Sequence, residues 1–280
     1  YGDDAYSVSN YDRNSLYDTL PMYQAIAESK NTSAVWLLDK LGIQRGISKL
    51  EDFGISIGEA DENLGAIALG GMSKGVTPVQ LASAYTTFVN EGVRTQARFI
   101  TKIVDATGAV IVDNTNPETN RVTTAAVAEE MTSMLMGVYA DGGTGASAQP
   151  SNGMVIAGKT GTTELDRETG YIKSQWMVGY TPDLVVATWL GYDKTNEIYN
   201  LNNAGKTMAN LYSAEMGALL SISPQTEFAV AAAEETYDSG IINGLKNGLD
   251  EFMNDMGSFG QSLGEGSKKL FDWANEAFGQ

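Results

Sequence analysis

Apolar positions near the start of the chain recur at the spacing of a helix. Residues 22–27 predict one helix, and residues 35–41 predict a second one that Gly42 ends. The polar residues 29–33 lie between them, and side chains of their type end one helix and cap the next. The pattern therefore predicts two short helices joined by a polar loop.

Further helices are predicted downstream, each from its own start or stop signal. Thr77 and Pro78 form an N-cap followed by proline at the first helical position, and the helix they begin ends at Gly92. Residues 127–138 carry apolar side chains at helical spacing and are followed by a pair of glycines. A last helix closes the folded part of the chain near Ser221.

Runs rich in β-branched and aromatic residues predict strands. Residues 99–105 and 109–113 predict a hairpin, and residues 175–180 and 184–191 predict antiparallel neighbours joined by a tight Thr-Pro-Asp turn. Residues 154–163 have a similar strand-like composition. The predicted fold class is therefore α+β, an antiparallel β-sheet flanked by helices.

The composition changes at Pro224. The segment 224–280 is rich in Gly, Asn and Ser and carries ten acidic residues against three basic ones. Its apolar residues fall in two clusters, 241–256 and 270–278, whose helical spacing is interrupted by glycines. We expect a folded domain over residues 1–223, followed by an acidic tail that forms marginal amphipathic helices or stays unstructured.

Two residue types are absent from the 280-residue chain, which has no cysteine and no histidine. Their absence excludes a Ser-His-Asp triad, a Cys-His pair, disulfide bonds and a zinc site built from Cys and His. Proton transfer must then fall to Lys, Asp, Glu or Tyr, or to a relay through Ser or Thr. We expect neither a metal nor an organic cofactor.

The charge balance narrows the range of partners. Thirty-five acidic residues against eighteen basic ones give a net charge of −17, which would repel nucleic acid and an anionic membrane surface. No apolar run is long enough to predict a membrane span, and the first residues do not have the pattern of a signal peptide. Because the chain does not start with Met, we expect it to be part of a longer protein.

Residues 153–160 match the phosphate-binding pattern G-x-x-x-x-G-K-[ST]. Such a loop follows a buried strand and begins a helix, but the residues before Gly153 are polar and those after Thr160 are poor helix formers. The segment also suits a strand at the edge of a substrate site, where Lys159 and the neighbouring threonines would bind an anionic, peptide-like ligand. A solvated strand end is a third interpretation of the same residues.

Two short motifs gain meaning from their order and their flanks. Ser29-Lys30-Asn31 is followed far downstream by Lys159-Thr160-Gly161, and both lie in segments that resemble class A penicillin-binding proteins. The matching flanks are Asn10-Tyr11-Asp12, Ala25–Val35, Leu69–Pro78 with Leu81–Tyr85, Trp176–Pro182 and Trp189–Asp193. The resemblance covers about residues 9–221 and does not extend to the tail.

The resemblance implies the fold of serine β-lactamases and DD-transpeptidases. It also implies an enzyme that cross-links peptidoglycan stem peptides ending in D-Ala-D-Ala and that β-lactams acylate. In this family the nucleophilic serine lies in an S-x-x-K motif upstream of S-x-N, and no S-x-x-K occurs in this sequence. We therefore expect the distal part of a transpeptidase domain, incomplete at its N-terminal side and inactive without an upstream segment that carries the Ser-Lys pair.

The resemblance also implies catalytic roles for three residues. Ser29 and Asn31 would relay a proton toward the leaving amine and hold the substrate amide. Lys159 would supply positive charge for the substrate carboxylate and lower nearby pKa values. Lys30, between the two S-x-N residues, is expected to be solvated.

Four residues of the second motif are expected to bind substrate. Thr160 and Thr162 would donate hydrogen bonds to the carboxylate, and the Thr162 N–H would form half of an oxyanion hole. Gly161 would let the substrate backbone come close, and Thr163 would continue the binding strand. The parent protein is expected to act outside the cytoplasm, at the cell surface, anchored by an upstream transmembrane helix.

Two other functions remain open at this stage. A cell-wall or peptide-binding module could keep the site and have lost the nucleophile, and a nucleotide-binding protein could use residues 153–160. A helix that starts directly after Lys159 would favour nucleotide binding. An S-x-x-K motif encoded before Tyr1 would favour the enzyme over the binding module.

Overall fold

Helices and short strands alternate along the chain before it enters a three-stranded sheet. The computed structural model describes residues 8–11, 20–166, 171–201 and 204–233. The helices are α1 Met22–Ala27, α2 Asn31–Leu41, α3 Ile43–Asp52, α4 Leu64–Leu69, α5 Pro78–Val89, α6 Ala125–Met136 and α7 Ala204–Leu220. The strands are β1 Val93–Thr95, β2 Lys102–Val104, β3 Val110–Asp113, β4 Thr119–Arg121, β5 Ala157–Asp166, β6 Tyr171–Thr181 and β7 Leu184–Gly191.

The main sheet is antiparallel, with the strand order β5-β6-β7, so that β5 lies at one edge of it among the described strands. Lys159 of β5 is paired with Val178 of β6, and β6 turns into β7 at the Thr181–Leu184 pair. The strands β1 with β4 and β2 with β3 form two separate antiparallel pairs. The predicted fold class, an antiparallel sheet flanked by helices, is confirmed.

Aromatic side chains join the helices to this sheet. The ring of Tyr180 on β6 lies 6.1 Å from that of Tyr85 and 6.2 Å from that of Phe88, both on α5. Its hydroxyl is 2.9 Å from the hydroxyl of Thr132 on α6. On α7, the fully buried Tyr212 donates a hydrogen bond to a carbonyl oxygen of β7 (3.4 Å). These contacts join the central strand to α5 and α6, and β7 to α7, so that the sheet is a rigid support.

The hairpin is shorter than the sequence predicted. Residues 99–101 lie outside β2, and Phe99 is 87% exposed. The turn itself is well defined, because Asp105 Oδ1 accepts hydrogen bonds from the Thr107 N–H, the Thr107 hydroxyl and the Ala109 N–H at 2.7–2.9 Å. Turn chemistry therefore sets the hairpin, whose paired strands are themselves largely exposed.

The first residues of the predicted tail belong to the folded body. Phe228 packs edge-on against Tyr180, with ring centroids 5.8 Å apart, and Val230 is packed against the hydrophobic core. Thr226 donates hydrogen bonds from its N–H and its hydroxyl to the carboxylate of Asp183, both at 3.0 Å. The compact unit thus continues to Ala233, and the predicted amphipathic clusters 241–256 and 270–278 lie outside the described residues.

A glycine allows β5 and β6 to approach each other next to the candidate site. A Cβ at Gly158 would lie 1.9 Å from the Val178 carbonyl oxygen and 2.7 Å from the Gly179 Cα, both backbone atoms. We predict that Gly158→Ala lowers the free energy of unfolding by about 2–4 kcal/mol, because only separation of the strands relieves the overlap. Chemical denaturation measures the change.

Gly71→Ala is the control for this variant, because a Cβ at Gly71 would meet no atom within 4 Å. Its effect on the free energy of unfolding should stay within about 0.5 kcal/mol. Equal losses for the two variants would contradict the close approach of β5 and β6 at Gly158.

Candidate active site

Ser29 lies in the turn between α1 and α2, in a left-handed backbone conformation with a φ of +56°. Hydrogen bonds from the Ser29 N–H to Ile26 O (3.2 Å) and from the Lys30 N–H to Ala25 O (2.9 Å) hold the turn. A residue with a Cβ pays about 1–2 kcal/mol to adopt this conformation. Strain of this kind persists where the surroundings impose it, which makes the turn a candidate functional position.

Lys30 is buried, and the expectation that it is solvated was wrong. Its side chain is 4% exposed, and its Nζ lies 2.8 Å from Glu28 Oε2. The other carboxylate oxygen of Glu28 accepts a hydrogen bond from Gln24 Nε2 at 2.6 Å. A buried ammonium is stable only when it is paired, so this ion pair is part of the structure that holds the Ser29 turn.

The predicted polar loop 29–33 is shorter than expected, because α2 already begins at Asn31. The side chain of the N-cap residue, Lys30, does not cap the helix. Instead Asn10 Oδ1 accepts hydrogen bonds from the N–H and the hydroxyl of Thr32, both at 3.1 Å, across 22 positions of sequence. Asn31 Nδ2 donates to Ser9 O at 3.1 Å. The segment that resembles the family's N-Y-D element thus caps the helix that carries Asn31.

Lys159 on the edge strand β5 reaches across to the Ser29 turn. Its Nζ donates a hydrogen bond to Ser29 Oγ at 2.8 Å, although the two residues are 130 positions apart in sequence. It also donates to the carbonyl oxygen of Thr160 at 3.2 Å. The structure therefore brings together the first residue of the S-x-N motif and the first residue of the K-T-G motif.

Burial changes the acidity of this lysine. Loss of solvation lowers the pKa of Lys159 from 10.5 to about 8, because water no longer stabilises the charged form. At neutral pH the Lys159 side chain is still protonated in most molecules, and its ammonium can bind a carboxylate. Its proton is nevertheless released far more readily than that of a solvated lysine, so the Ser29–Lys159 pair can take part in proton transfer.

Thr160 belongs to a second contact between the two walls of the site, which are the α1 end with the Ser29 turn on one side and the strand β5 on the other. Its hydroxyl lies 2.7 Å from the hydroxyl of Thr144, and the Thr144 N–H donates to Ala27 O at 3.1 Å. No motif in the sequence pointed to Thr144. The available signal was a threonine flanked on both sides by glycine, Gly143 and Gly145, in the connection that leads from α6 toward β5.

The other predicted substrate-binding residues continue along β5. Gly161 is paired with Trp176, and a Cβ there would lie 3.3 Å from the Trp176 Cβ. Thr162 is exposed and Thr163 partly exposed, paired with Gln175 and Ser174 respectively. The K-T-G-T-T segment is therefore one continuous strand, as one interpretation of the sequence had it, and among the described strands it lies at the edge of the sheet.

The same strand rules out the arrangement of a phosphate-binding loop. Lys159 lies inside β5, which continues to Asp166, whereas the loop pattern requires a helix to begin directly after the lysine. Among the described residues, no group of three or more Asp or Glu side chains is placed to hold a metal ion. Within the same part of the chain, no helix has the length and apolar character needed to cross a membrane.

Known proteins of similar sequence include several penicillin-binding proteins. Residues 1–214 match the family described as the penicillin binding protein transpeptidase domain. The chain is 39% identical over 233 residues to penicillin-binding protein 2a of Streptococcus pneumoniae, covering 82% of this chain and 31% of that protein. It is 39% identical over 213 residues to penicillin-binding protein 1F of Bacillus subtilis, covering 76% and 28%. The chain thus spans about a third of the length of these relatives.

Solved structures show the same fold at lower identity. The penicillin-binding protein PonA1 from Mycobacterium tuberculosis matches with a TM-score of 0.66 and 24% identity, over 80% of this chain and 62% of that one, and has also been solved with penicillin V. The D,D-transpeptidase domain of a peptidoglycan glycosyltransferase from Eggerthella lenta matches with a TM-score of 0.59 and 22% identity, over 76% and 56%. The chain belongs to the penicillin-binding proteins, and its residues 1–214 to the transpeptidase domain of the class A type.

Proposed function

We propose that the chain forms one side of the active site of a peptidoglycan DD-transpeptidase. The enzyme cross-links stem peptides ending in D-Ala-D-Ala through an acyl-enzyme, and β-lactams acylate it. The 2.8 Å hydrogen bond between Lys159 Nζ and Ser29 Oγ carries the proposal, because it joins the S-x-N and K-T-G motifs at one site. Membership of the transpeptidase family supports the reaction class. The acylated serine is supplied by an upstream segment with the S-x-x-K motif.

The direction of the Ser29–Lys159 hydrogen bond defines a proton path. Because the lysine ammonium donates to Ser29 Oγ, the proton of the serine hydroxyl is free to point at another acceptor. In the proposed mechanism Ser29 gives this proton to the leaving D-Ala amine, and Lys159 replaces it through the same hydrogen bond. The lowered pKa of Lys159 makes such a transfer less costly than it would be from a solvated lysine.

The edge strand supplies the binding groups in this proposal. Lys159 attracts the terminal carboxylate of the substrate, which also accepts hydrogen bonds from Thr160 and Thr162. The N–H of Thr162 forms half of the oxyanion hole, and the missing side chain of Gly161 lets the substrate lie against β5 as an added strand. Asn31 donates its Nδ2 hydrogen to Ser9, so Oδ1 is the atom that would accept from the substrate amide.

The proposed setting is the outer face of the cell membrane. The whole protein would carry the Ser-Lys segment and a membrane anchor upstream of this chain, and peptidoglycan strands would be its substrate. The absence of S-x-x-K from the sequence supports a second candidate, a cell-wall binding module without a nucleophile. The encoded residues before Tyr1 and the labelling experiment below separate the two.

Covalent labelling with a fluorescent penicillin tests the proposal directly. We expect the whole encoded protein to form a stable adduct, and the 280-residue chain alone to form none, because its sequence has no S-x-x-K. Peptide mass spectrometry should place the adduct on the upstream serine and not on Ser29. Lys159→Ala in the whole protein should slow acylation by at least about tenfold, the effect of losing about 1.4 kcal/mol of transition-state binding. An unlabelled whole protein would leave only the binding module.

Two substitutions of Ser29 separate its backbone strain from the role of its hydroxyl. Ser29→Ala and Ser29→Gly both remove the hydroxyl, but only glycine adopts a φ of +56° without strain. The glycine variant should be more stable than the alanine variant by about 1 kcal/mol in denaturant unfolding. Both variants of the whole protein should lose acylation to a similar extent. Equal stability of the two would contradict the left-handed turn.

The lowered pKa of Lys159 should make stability and activity respond to pH in opposite directions. Between about 8 and 10.5 the unfolded chain still binds a proton that the folded chain has released, so stability rises with pH. Relative to Lys159→Met, the free energy of unfolding should increase by at most about 1.4 kcal/mol per pH unit. Acylation by a carboxylate-bearing β-lactam should fall over the same range, because the ammonium is lost.

The useful range for this measurement ends near pH 10. Burial raises the pKa of Tyr85, Tyr180 and Tyr212 above the ordinary value of 10.0. Above about pH 10 these tyrosines ionise in the unfolded chain but stay protonated in the folded one, so the free energy of unfolding falls as the pH rises. Denaturant titrations of the wild type and of Lys159→Met below that limit isolate the lysine. A stability difference that is constant with pH would show that Lys159 titrates at its ordinary value.

A further inference from the structure

Thr144 contacts both walls of the site, close to the residue that each wall contributes. Its backbone N–H donates to the carbonyl oxygen of Ala27, the last residue of α1 and two positions before Ser29. Its hydroxyl lies 2.7 Å from that of Thr160, the residue after Lys159. One residue thus connects the chain before the Ser29 turn with the strand that carries the lysine.

The loop that presents Thr144 is packed tightly against the end of α6. A Cβ at Gly143 would lie 2.3 Å from the carbonyl oxygens of both Gly137 and Val138, and one at Gly145 would lie 3.0 Å from the ring of Tyr139. The Gly145 N–H donates to Val138 O at 2.8 Å. The two glycines therefore let the backbone fold back on itself and hold the intervening threonine in one position.

The two hydroxyls act as a unit because of their protons. Thr144 and Thr160 carry one hydroxyl proton each, and the hydrogen bond between them uses one of the two. Either hydroxyl can donate in this bond, and when Thr144 donates to Thr160 the proton of Thr160 is left for another acceptor. Thr144 is exposed, so a ligand on β5 can reach this pair. With Thr144 as the donor, the Thr160 hydroxyl can in turn donate to a substrate carboxylate at this strand.

We propose that Thr144 is a positioning residue of the transpeptidase site, whose hydroxyl orients that of Thr160 toward the substrate carboxylate. The inference rests on the proposed function, because it assigns the carboxylate to β5. Thr144 acts through Thr160, and its backbone bond to Ala27 keeps the loop in register with the Ser29 turn. Its hydroxyl matters for ligand binding and contributes little to the stability of the fold, since it lies at the surface.

Variants of the whole encoded protein test this inference through the rate of acylation by a penicillin. Thr144→Val keeps the shape of the side chain and removes the hydroxyl, whereas Thr144→Ser keeps the hydroxyl. Thr160→Val, alone and combined with Thr144→Val, completes a double-mutant cycle. The rate is measured as a function of penicillin concentration, which separates binding from the acylation step, and the thermal unfolding of every variant is recorded.

We expect Thr144→Val to lower the second-order rate of acylation by about tenfold, mainly through weaker penicillin binding, with thermal unfolding unchanged. Thr144→Ser should restore most of the rate. In the Thr160→Val background, removal of the Thr144 hydroxyl should change the rate by less than about twofold, because its partner is already absent.

Three results would overturn the inference. An unchanged rate for Thr144→Val would show that its hydroxyl is not needed, and an equal loss with and without Thr160 would show that it does not act through that residue. A Thr144→Val variant that loses rate only in proportion to lost folded protein would make the role structural. If the wild type itself were not labelled, the proposed function would fail first and this inference with it. A labelled wild type therefore keeps the two failures apart.

Discussion

The hydrogen bond between Lys159 and Ser29 is the interaction on which the site depends. It joins an edge strand to a turn between two helices, and neither element can place its side chain without the rest of the fold. The strand has to be held at a fixed distance from the turn, and the turn has to remain in a left-handed conformation that serine disfavours. Much of the surrounding structure can be understood as meeting these two requirements.

The strand is fixed from behind by buried aromatic residues. Tyr139, three residues after the end of α6, donates a 3.0 Å hydrogen bond from its hydroxyl to the carbonyl oxygen of Val178, which is the register partner of Lys159. Tyr180, two positions further along β6, is held by the rings of α5 and the hydroxyl of Thr132. Because β6 is rigid in this way, β5 is held at the edge of the sheet with its lysine largely withdrawn from water. The same burial lowers the pKa of Lys159.

The turn is fixed by charge and by distant caps. Glu28 and Lys30, the residues directly before and after Ser29, form an ion pair in which the lysine is buried. This pair restrains the chain on both sides of the strained residue. Asn10 holds the first turn of α2 from outside the helix. A negatively charged chain thus places two of its lysines next to one serine, Lys30 buried and Lys159 partly buried.

The sequence by itself determined most local structure and the identity of the motifs. Thr77 and Gln80 form a capping box at the start of α5, and Pro78 is its first residue, as expected for a helix start set by neighbouring residues. The Thr181–Leu184 turn followed from its Pro-Asp junction in the same way. The order of S-x-N and K-T-G indicated the family, because residue types that carry chemistry keep their order along the chain.

Contacts between distant residues were decided only by the tertiary structure. Nothing in the local sequence distinguishes Lys30 from a solvated lysine, because its burial depends on how α1 and α2 meet. The cap from Asn10 and the Thr144–Thr160 pair both join segments whose spacing in sequence carries no period, so no local pattern could predict them. The lowered pKa of Lys159 likewise depends on desolvation, which arises only when the sheet, the helices and the turn enclose its amine.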